Sequence, residues 1–309
     1  MKHQEKLVIG FFAAQKYEVQ SLLLVKSLRD FGGVLASLPV WIYYPEGQPL
    51  GGPALEALRD LDVDLIPFPL AEGLRGFPFA GKTLSAGIAE DRAEKEEMIL
   101  AWHDRTGFIR QAPFDFILPA EKAVAYRPTD IANIGAPADG PLPEFWQLVL
   151  SHFSLTAEDL LPPIMTAIDQ KSLRLYVNAG LLVVHPKKKL LRTWADAFLQ
   201  IYALPEFKPF YQQNQTYAIF MHQAALTAAT ALTTQPEERE ILPNTYLFSV
   251  DNFFDYPPKD RPLTLDQITT GRFHDFFALP NWQEKVIASP TLVDWFQSVL
   301  SYGPYWPAA

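Results

Sequence analysis

What most limits the fold of this chain is the order of its opening segments, where short apolar β-rich runs alternate with helical ones. Leu7-Val-Ile-Gly-Phe-Phe12 reads as a buried strand. From Ser21 to Phe31, Leu22, Val25, Leu28 and Phe31 recur at helical spacing, and Gly32-Gly33 ends the run as a C-terminal glycine should. Pro39 to Tyr44 is β-rich and stops at Pro45; Ala54 to Leu61 is a short helix and Val63 to Phe68 a third strand. Strand, helix, strand, helix, strand in this order indicates a right-handed parallel unit of the nucleotide-binding kind, and hence an α/β fold.

Downstream, Phe79 to Glu97 reads as a helix charged on one side, and Met98 to Trp102 as a fourth strand running into His103-Asp-Arg-Thr106. Ligands of open α/β sheets bind beyond the carboxyl ends of strands, which gives these four polar residues functional weight. Glu121 to Arg127 is a fifth strand stopped by Pro128, and the stretch to about Pro143 is a loop rich in Pro, Gly and Asp. Helices are expected over 145–153 and 156–169. Lys188 to Tyr202 carries Leu190, Leu191, Trp194, Phe198 and Ile201 on one side, and Asn214 to Leu232 is alanine-rich and helical. Five prolines (243, 257, 258, 262 and 280) divide an irregular final quarter that closes with a helix near Thr291 to Leu300. There is no internal repeat.

Before the basic run at 187–189 lies Leu175-Tyr-Val-Asn-Ala-Gly-Leu-Leu-Val-Val-His-Pro186, an apolar run broken by Asn-Ala-Gly. Gly180 offers conformational freedom or close backbone approach, and Asn178 brings a donor and an acceptor. Two readings stay open: a bulged core strand whose Asn is bonded internally, or an amide facing a ligand.

Composition excludes several classes. With 309 residues, 49% of them hydrophobic, the chain has material for a large core. Its net charge is −9 and Lys187-Lys188-Lys189 is its sole run of three basic residues, which argues against duplex nucleic acid as a partner. It has no cysteine, so disulfides, thiolate metal sites and thiol nucleophiles are excluded. Met1 to Lys6 leads directly into an apolar stretch too short to span a membrane and without a cleavage site of small residues, so no membrane span and a cytoplasmic location are expected. Aromatics at 13% make the 27 prolines a sign of rigid turns rather than of a disordered tail.

The order of these pieces resembles the GT-A nucleotide-sugar glycosyltransferases, of the type that includes glycogenin and bacterial galactosyltransferases. The resemblance is carried by the opening strand and helix, Met98-Ile-Leu-Ala-Trp-His-Asp-Arg-Thr-Gly-Phe-Ile109, Tyr176-Val-Asn-Ala-Gly-Leu-Leu-Val-Val184, Asn214-Gln215, Leu242-Pro-Asn-Thr-Tyr246 and Arg272-Phe-His-Asp275. It implies a single domain over 1–309 with a mixed sheet flanked by helices, 1–128 forming the nucleotide-binding half and 129–309 the acceptor-side half with its irregular C-terminal region. The implied function is transfer of a sugar from a nucleotide-sugar donor to an unidentified acceptor. The alternative is a catalytically silent relative that binds a nucleotide, sugar or protein partner.

In that family an Asp-x-Asp motif holds a divalent cation, Mn²⁺ or Mg²⁺, against the donor diphosphate, because a hard cation takes carboxylate oxygens and bridges phosphates. The matching place is Asp104-Arg105-Thr106, in which the second Asp is Thr. Asp104 is a metal ligand, the partner of Arg105 or another base, or a plain loop residue. His274 resembles the late histidine that such families add to the cation, while Arg105 and Lys82 offer metal-free contacts to phosphates. Gly76 to Thr83 has the bare spacing of a phosphate loop, but Phe77-Pro78-Phe79 stiffens it and no strand directly precedes it. The resemblance sets Lys82, Asp104, Arg105, Thr106 and Gln215 on the donor, Asn178 and Gly180 on the acceptor side, and Asp104 and His274 on the metal. By location, Asp251 and Asp275 are the candidates for the acceptor's base. Asn214-Gln215 also reads as an ordinary helix N-cap.

Overall fold

The computed structural model describes residues 6–305; the first five residues of the N-terminal stretch lie outside them. Along the chain run β1 (Lys6–Phe12), α1 (Glu18–Phe31), β2 (Val40–Pro45), α2 (Gly52–Arg59), β3 (Asp64–Phe68), α3 (Glu72–Arg75), α4 (Ala80–Lys95), β4 (Met98–His103), β5 (Gly107–Ile109) and β6 (Val124–Pro128). Then follow α5 (Glu144–His152), β7 (Ile164–Met165), β8 (Ser172–Leu173), β9 (Val177–Val184), α6 (Leu190–Ala203), α7 (Lys208–Gln213), α8 (Gln215–Thr233), β10 (Arg239–Ile241), β11 (Phe248–Ser249), β12 (Thr270–Arg272) and α9 (Pro290–Leu300). No helix among the described residues is long and apolar enough to cross a membrane.

The main sheet has seven strands in the order β10-β6-β9-β4-β1-β2-β3. Strands β1, β2 and β3 run parallel, β10 runs parallel to β6, and β6 runs antiparallel to β9, so the sheet is mixed. The expected alternation of strand and helix over the first seventy residues is present. One expected element is not: over 156–169 there is a single 3-10 turn at Glu158–Leu160 and then the two-residue strand β7, which β8 follows at Ser172–Leu173. Pro162 and Pro163 explain the difference, since neither has an N–H for a helical bond and each disfavours helical backbone in the residue before it.

The chain divides into two compact units. Of the described residues, the first comprises Leu7–Pro69, Ala101–Ile117 and 242–305. Within it, α1 is closed where Gly32 N–H reaches the Leu28 carbonyl at 2.8 Å, and Ser27 Oγ accepts from Ile109 N at 2.9 Å to tie α1 to β5. An aromatic cluster holds its late segments: Phe277 lies 4.9 Å from Phe273, from Trp282 and from Phe296 between ring centroids, and Phe108 lies 5.1 Å from Phe296.

Of the described residues, the second unit comprises Lys6, Leu70–Leu100 and Leu118–Ile241. Helix α6 buries Leu190, Leu191, Trp194, Phe198 and Ile201, the stripe expected from its spacing. It meets α4 closely, for a Cβ added at Gly87 would stand 3.1 Å from the Ala195 Cβ. Beside that contact Glu90 is fully buried and accepts from Arg192 N at 2.9 Å, while the Arg192 guanidinium reaches Asp91 and Glu94.

Candidate active site

Within the first unit, a three-stranded sheet in the order β11-β12-β5 gathers residues that are far apart in sequence. Strands β11 and β12 run parallel, so the residues following them, Asp251 and His274, leave at the same end. Strand β5 runs antiparallel to β12 and therefore begins at that end, where it is preceded by Asp104-Arg105-Thr106. Two backbone bonds extend the register beyond the strands: Phe273 N donates to the Thr106 carbonyl at 2.7 Å, and Val250 N to the Arg272 carbonyl at 2.9 Å. Buried Phe273 and Phe276 anchor the chain on either side of His274 and Asp275.

Several side chains at this end have defined partners. Thr106 donates to Asp104 Oδ1 from both its N–H and its hydroxyl, at 3.2 Å each, a side-chain turn that fixes the carboxylate. His103, fully buried, donates from Nδ1 to the Asp104 carbonyl at 2.9 Å. Its ring lies over Gly107, where a Cβ would come within 2.1 Å of His103 Cε1. The Arg105 guanidinium stacks 4.0 Å from the Tyr17 ring centroid and 6.0 Å from that of Phe12. Asp251 Oδ2 accepts from His274 N at 2.9 Å, and the Tyr305 hydroxyl donates to the His274 carbonyl.

The His274 imidazole meets Arg272, whose Nη1 lies 2.7 Å from its Nε2. A guanidinium can only donate, so Nε2 is the unprotonated acceptor and the ring is neutral. Burial holds the His274 pKa below its ordinary value and the Arg272 charge lowers it further, against the opposing pull of Asp251, Asp104 and Asp275. The same electrostatic neighbourhood reaches Tyr305, whose hydroxyl pKa is raised by burial and by the charges of Asp251 and Asp275, with Arg105 acting in the other direction. Asp104, Asp251, Asp275 and His274, together with Arg105 and Arg272, thus share one end of one small sheet.

A divalent cation fits this donor set poorly. At His274 it would compete with Arg272 for the Nε2 lone pair, and at Asp104 one oxygen, Oδ1, already accepts from Thr106 twice. Among the described residues no group of three or more histidine and acidic side chains is disposed to hold a metal ion.

The remaining residues singled out above lie in the second unit. The pairing of β6 with β9 slips between Tyr126 and Pro128, whose partners are Leu182 and Val177, and the extra residues on β9 fall at Asn178-Ala-Gly-Leu181. Asn178, 6% exposed, accepts from Gly180 N at 3.0 Å, so its oxygen serves the bulge itself. Helix α8 supplies what the irregular strand lacks: Thr227 Oγ1 accepts from Val177 N at 3.2 Å and Gln223 Oε1 from Ala179 N at 3.3 Å. Asn214 caps α8 by accepting from Thr216 N at 2.9 Å, and Gln215 is exposed in its first turn. Lys82 is buried in the first turn of α4, with its ammonium 5.8 Å from the Phe79 ring.

Sequence reasoning missed Arg272, Tyr17 and Tyr305. The signal for Arg272 was present, because residues two apart on an extended strand share a face and His274 was already under consideration. Tyr17 and Tyr305 had no comparable signal, since only the fold brings them to Arg105 and His274.

Among curated proteins none matches the chain. Solved structures similar to it include the apo form of the bifunctional glycosyltransferase WbbM, with a TM-score of 0.54 and 13% identity over 99% of this chain and 51% of that one. The chain thus spans about half of WbbM. The galactosyltransferase LgtC, in complex with donor and acceptor sugar analogues, gives a TM-score of 0.53 and 11% identity over 97% of this chain and 98% of LgtC. An active-site mutant of LgtC gives 0.52 and 12% identity over 96% and 95%. At such identities the likeness is one of fold, and that fold is GT-A. Residues 9–232 match the model of the Rhodobacterales glycosyltransferase domain, well over half of the chain. The chain therefore belongs to the Rhodobacterales glycosyltransferase domain family, and its fold is GT-A.

Proposed function

We propose that this glycosyltransferase takes its sugar from a nucleotide-sugar and that the donor's phosphates meet the end of the β11-β12-β5 sheet. The observation that carries the reading is the convergence there of Asp104, Arg105 and Thr106, which follow β4, with His274, which follows β12. Ligands of α/β sheets bind at such strand ends, and two guanidinium groups at this one suit a diphosphate. In the transfer, the bond from the anomeric carbon to the β-phosphate oxygen breaks with its electron pair on that oxygen. The acceptor oxygen forms the new bond, and its proton passes to a base. In this reading Asp251 and Asp275 serve as that base, either directly or through water. Positive charge aimed at the departing diphosphate lowers the barrier to this step.

Gln215 and Lys82 as donor contacts, and Asn178 with Gly180 on the acceptor side, are supported by the resemblance of their sequence segments. The bond from Asn178 to Gly180 N gives that pair a structural duty as well.

The reading is tested by thermal unfolding of the purified protein with a panel of nucleotide-sugars, followed by mass spectrometry of the products. A donor present at about 100 times its Kd raises stability by about 2.7 kcal/mol and the unfolding temperature accordingly. No shift with any donor sinks the reading. A shift without hydrolysis or transfer across a panel of sugar acceptors identifies the catalytically silent alternative.

A further inference from the structure

We propose that Arg272, together with Arg105, supplies the positive charge that holds the donor diphosphate, so that this chain binds its nucleotide-sugar without a divalent cation. The proposal deepens the nucleotide-sugar reading above and rests on it. Three observations carry it. First, Arg272 Nη1 donates to His274 Nε2 at 2.7 Å, so the nitrogen lone pair that would face a metal ion instead positions a guanidinium. Second, Asp104-Arg105-Thr106 has a hydroxyl in place of a second carboxylate, and that hydroxyl donates to Asp104 Oδ1 at 3.2 Å, so the stretch offers one carboxylate with one of its two oxygens engaged within the chain. Third, Arg105 stacks on Tyr17 at 4.0 Å, and its Nε–H is buried and meets no acceptor among the described residues.

A buried donor without an acceptor is costly unless a ligand supplies one, and a phosphate oxygen is an acceptor that suits a guanidinium. The stack on Tyr17 restricts the guanidinium plane, as the bond to His274 restricts that of Arg272, so both cations are oriented before the ligand arrives. His274 is then a positioning residue, acting on the diphosphate through Arg272. The carboxylates are held back in the same way: Asp251 accepts from His274 N and Asp104 from Thr106, which reduces the repulsion a diphosphate would otherwise meet.

The test is calorimetric titration of the full chain with uridine, guanosine, adenosine and cytidine diphosphates and with the nucleotide-sugars built on them, in excess EDTA and again in excess Mn²⁺. The expected result is binding of at least one of these ligands in EDTA, with an affinity that Mn²⁺ leaves unchanged. Arg272→Gln weakens that binding by roughly 10-fold or more. Mn²⁺ does not restore it, and Arg272→Lys recovers part of it by returning the charge. His274→Ala weakens binding less than Arg272→Gln and creates no dependence on Mn²⁺. The comparison of EDTA with Mn²⁺ uses the unaltered chain, so it decides even if a variant does not fold. Binding that requires Mn²⁺, or binding unchanged in a folded Arg272→Gln variant, overturns the proposal while leaving the nucleotide-sugar reading intact. No binding of any of these ligands in either buffer overturns both.

Discussion

At the scale of single residues, two glycines set the shape of the small sheet by what they lack. A Cβ at Gly107 would fall 2.1 Å from His103 Cε1, and one at Gly271 would fall 2.3 Å from Phe108 Cε1. Neither backbone needs a positive φ; what each position needs is the absence of a side chain, so that a ring can lie against the strand. Phe108 has no room to retreat, with the Phe296 ring centroid 5.1 Å from its own. Gly271→Ala is therefore expected to cost about 1–3 kcal/mol, in the usual range for overpacking a close-packed core. Gly107→Ala is expected to displace His103 from the Asp104 carbonyl and so to loosen the turn that carries Arg105. Urea unfolding checks the first, where an unchanged midpoint counts against the packing argument. Diphosphate affinity, compared with stability, checks the second.

At the scale of elements, the broken strand β9 and helix α8 are built for one another. The slip against β6 leaves two β9 amides with helix side chains for partners, and Gln223 and Thr227 accept from Ala179 and Val177 because residues four apart share a helix face. Gln223 also donates to the buried Tyr176 hydroxyl at 3.2 Å. Thr227→Val keeps the volume and removes the acceptor, leaving the Val177 N–H buried without a partner at a cost of about 1–3 kcal/mol. Gln223→Leu removes two bonds at once and is expected to cost more. Denaturant titrations of both variants measure this; a Thr227→Val protein as stable as the parent would show that the bulge does not depend on the helix. The sequence made the interruption at Asn178-Ala-Gly180 visible, and one of the two readings left open there, an internally bonded Asn in a bulge, matches the bond observed. The helix partners were hidden, since Thr227 and Gln223 sit in an alanine-rich run whose pattern says only that it is helical.

At the scale of the whole molecule, charge burial couples stability to pH. Glu90 is fully buried against α6, and burial pushes its pKa up to about 7, against the lowering effect of its bonds to Arg192 and Leu191 amides and of the Arg192 charge. Between its ordinary value of 4.5 and about 7, the folded chain holds a proton that the unfolded chain has released. Stability from this group is thus fully present below about pH 4.5 and is lost as pH rises through about 7, by up to about 3 kcal/mol. Glu90→Gln keeps an acceptor for Arg192 N and carries no proton to lose, so its unfolding free energy is expected to be flatter over that window. Parallel slopes for the two proteins would show that Glu90 does not titrate there.

The local pattern of the chain was enough to specify the α/β class, the first three strands and two helices, the stripe on α6, the long α8 and β4 to within one residue of its end. Each of these is written in spacing, capping or strand chemistry within a few neighbouring residues. Strands β5, β11 and β12 were not legible, because two or three residues are too few to show a period, and a helix expected over 156–169 gave way to the prolines that follow Leu161. The site depended on those short strands. Asp104, Asp251 and His274 could be named from their neighbours, but their convergence follows from β11 running parallel and β5 antiparallel to β12. That pairing is set by long-range hydrogen bonds and by the aromatic packing of Phe108, Phe273, Phe277 and Phe296, whose partners no local stretch of sequence identifies. The place of Arg272 against His274 was settled by the same pairing, which fixes where β12 ends and so which two side chains meet there.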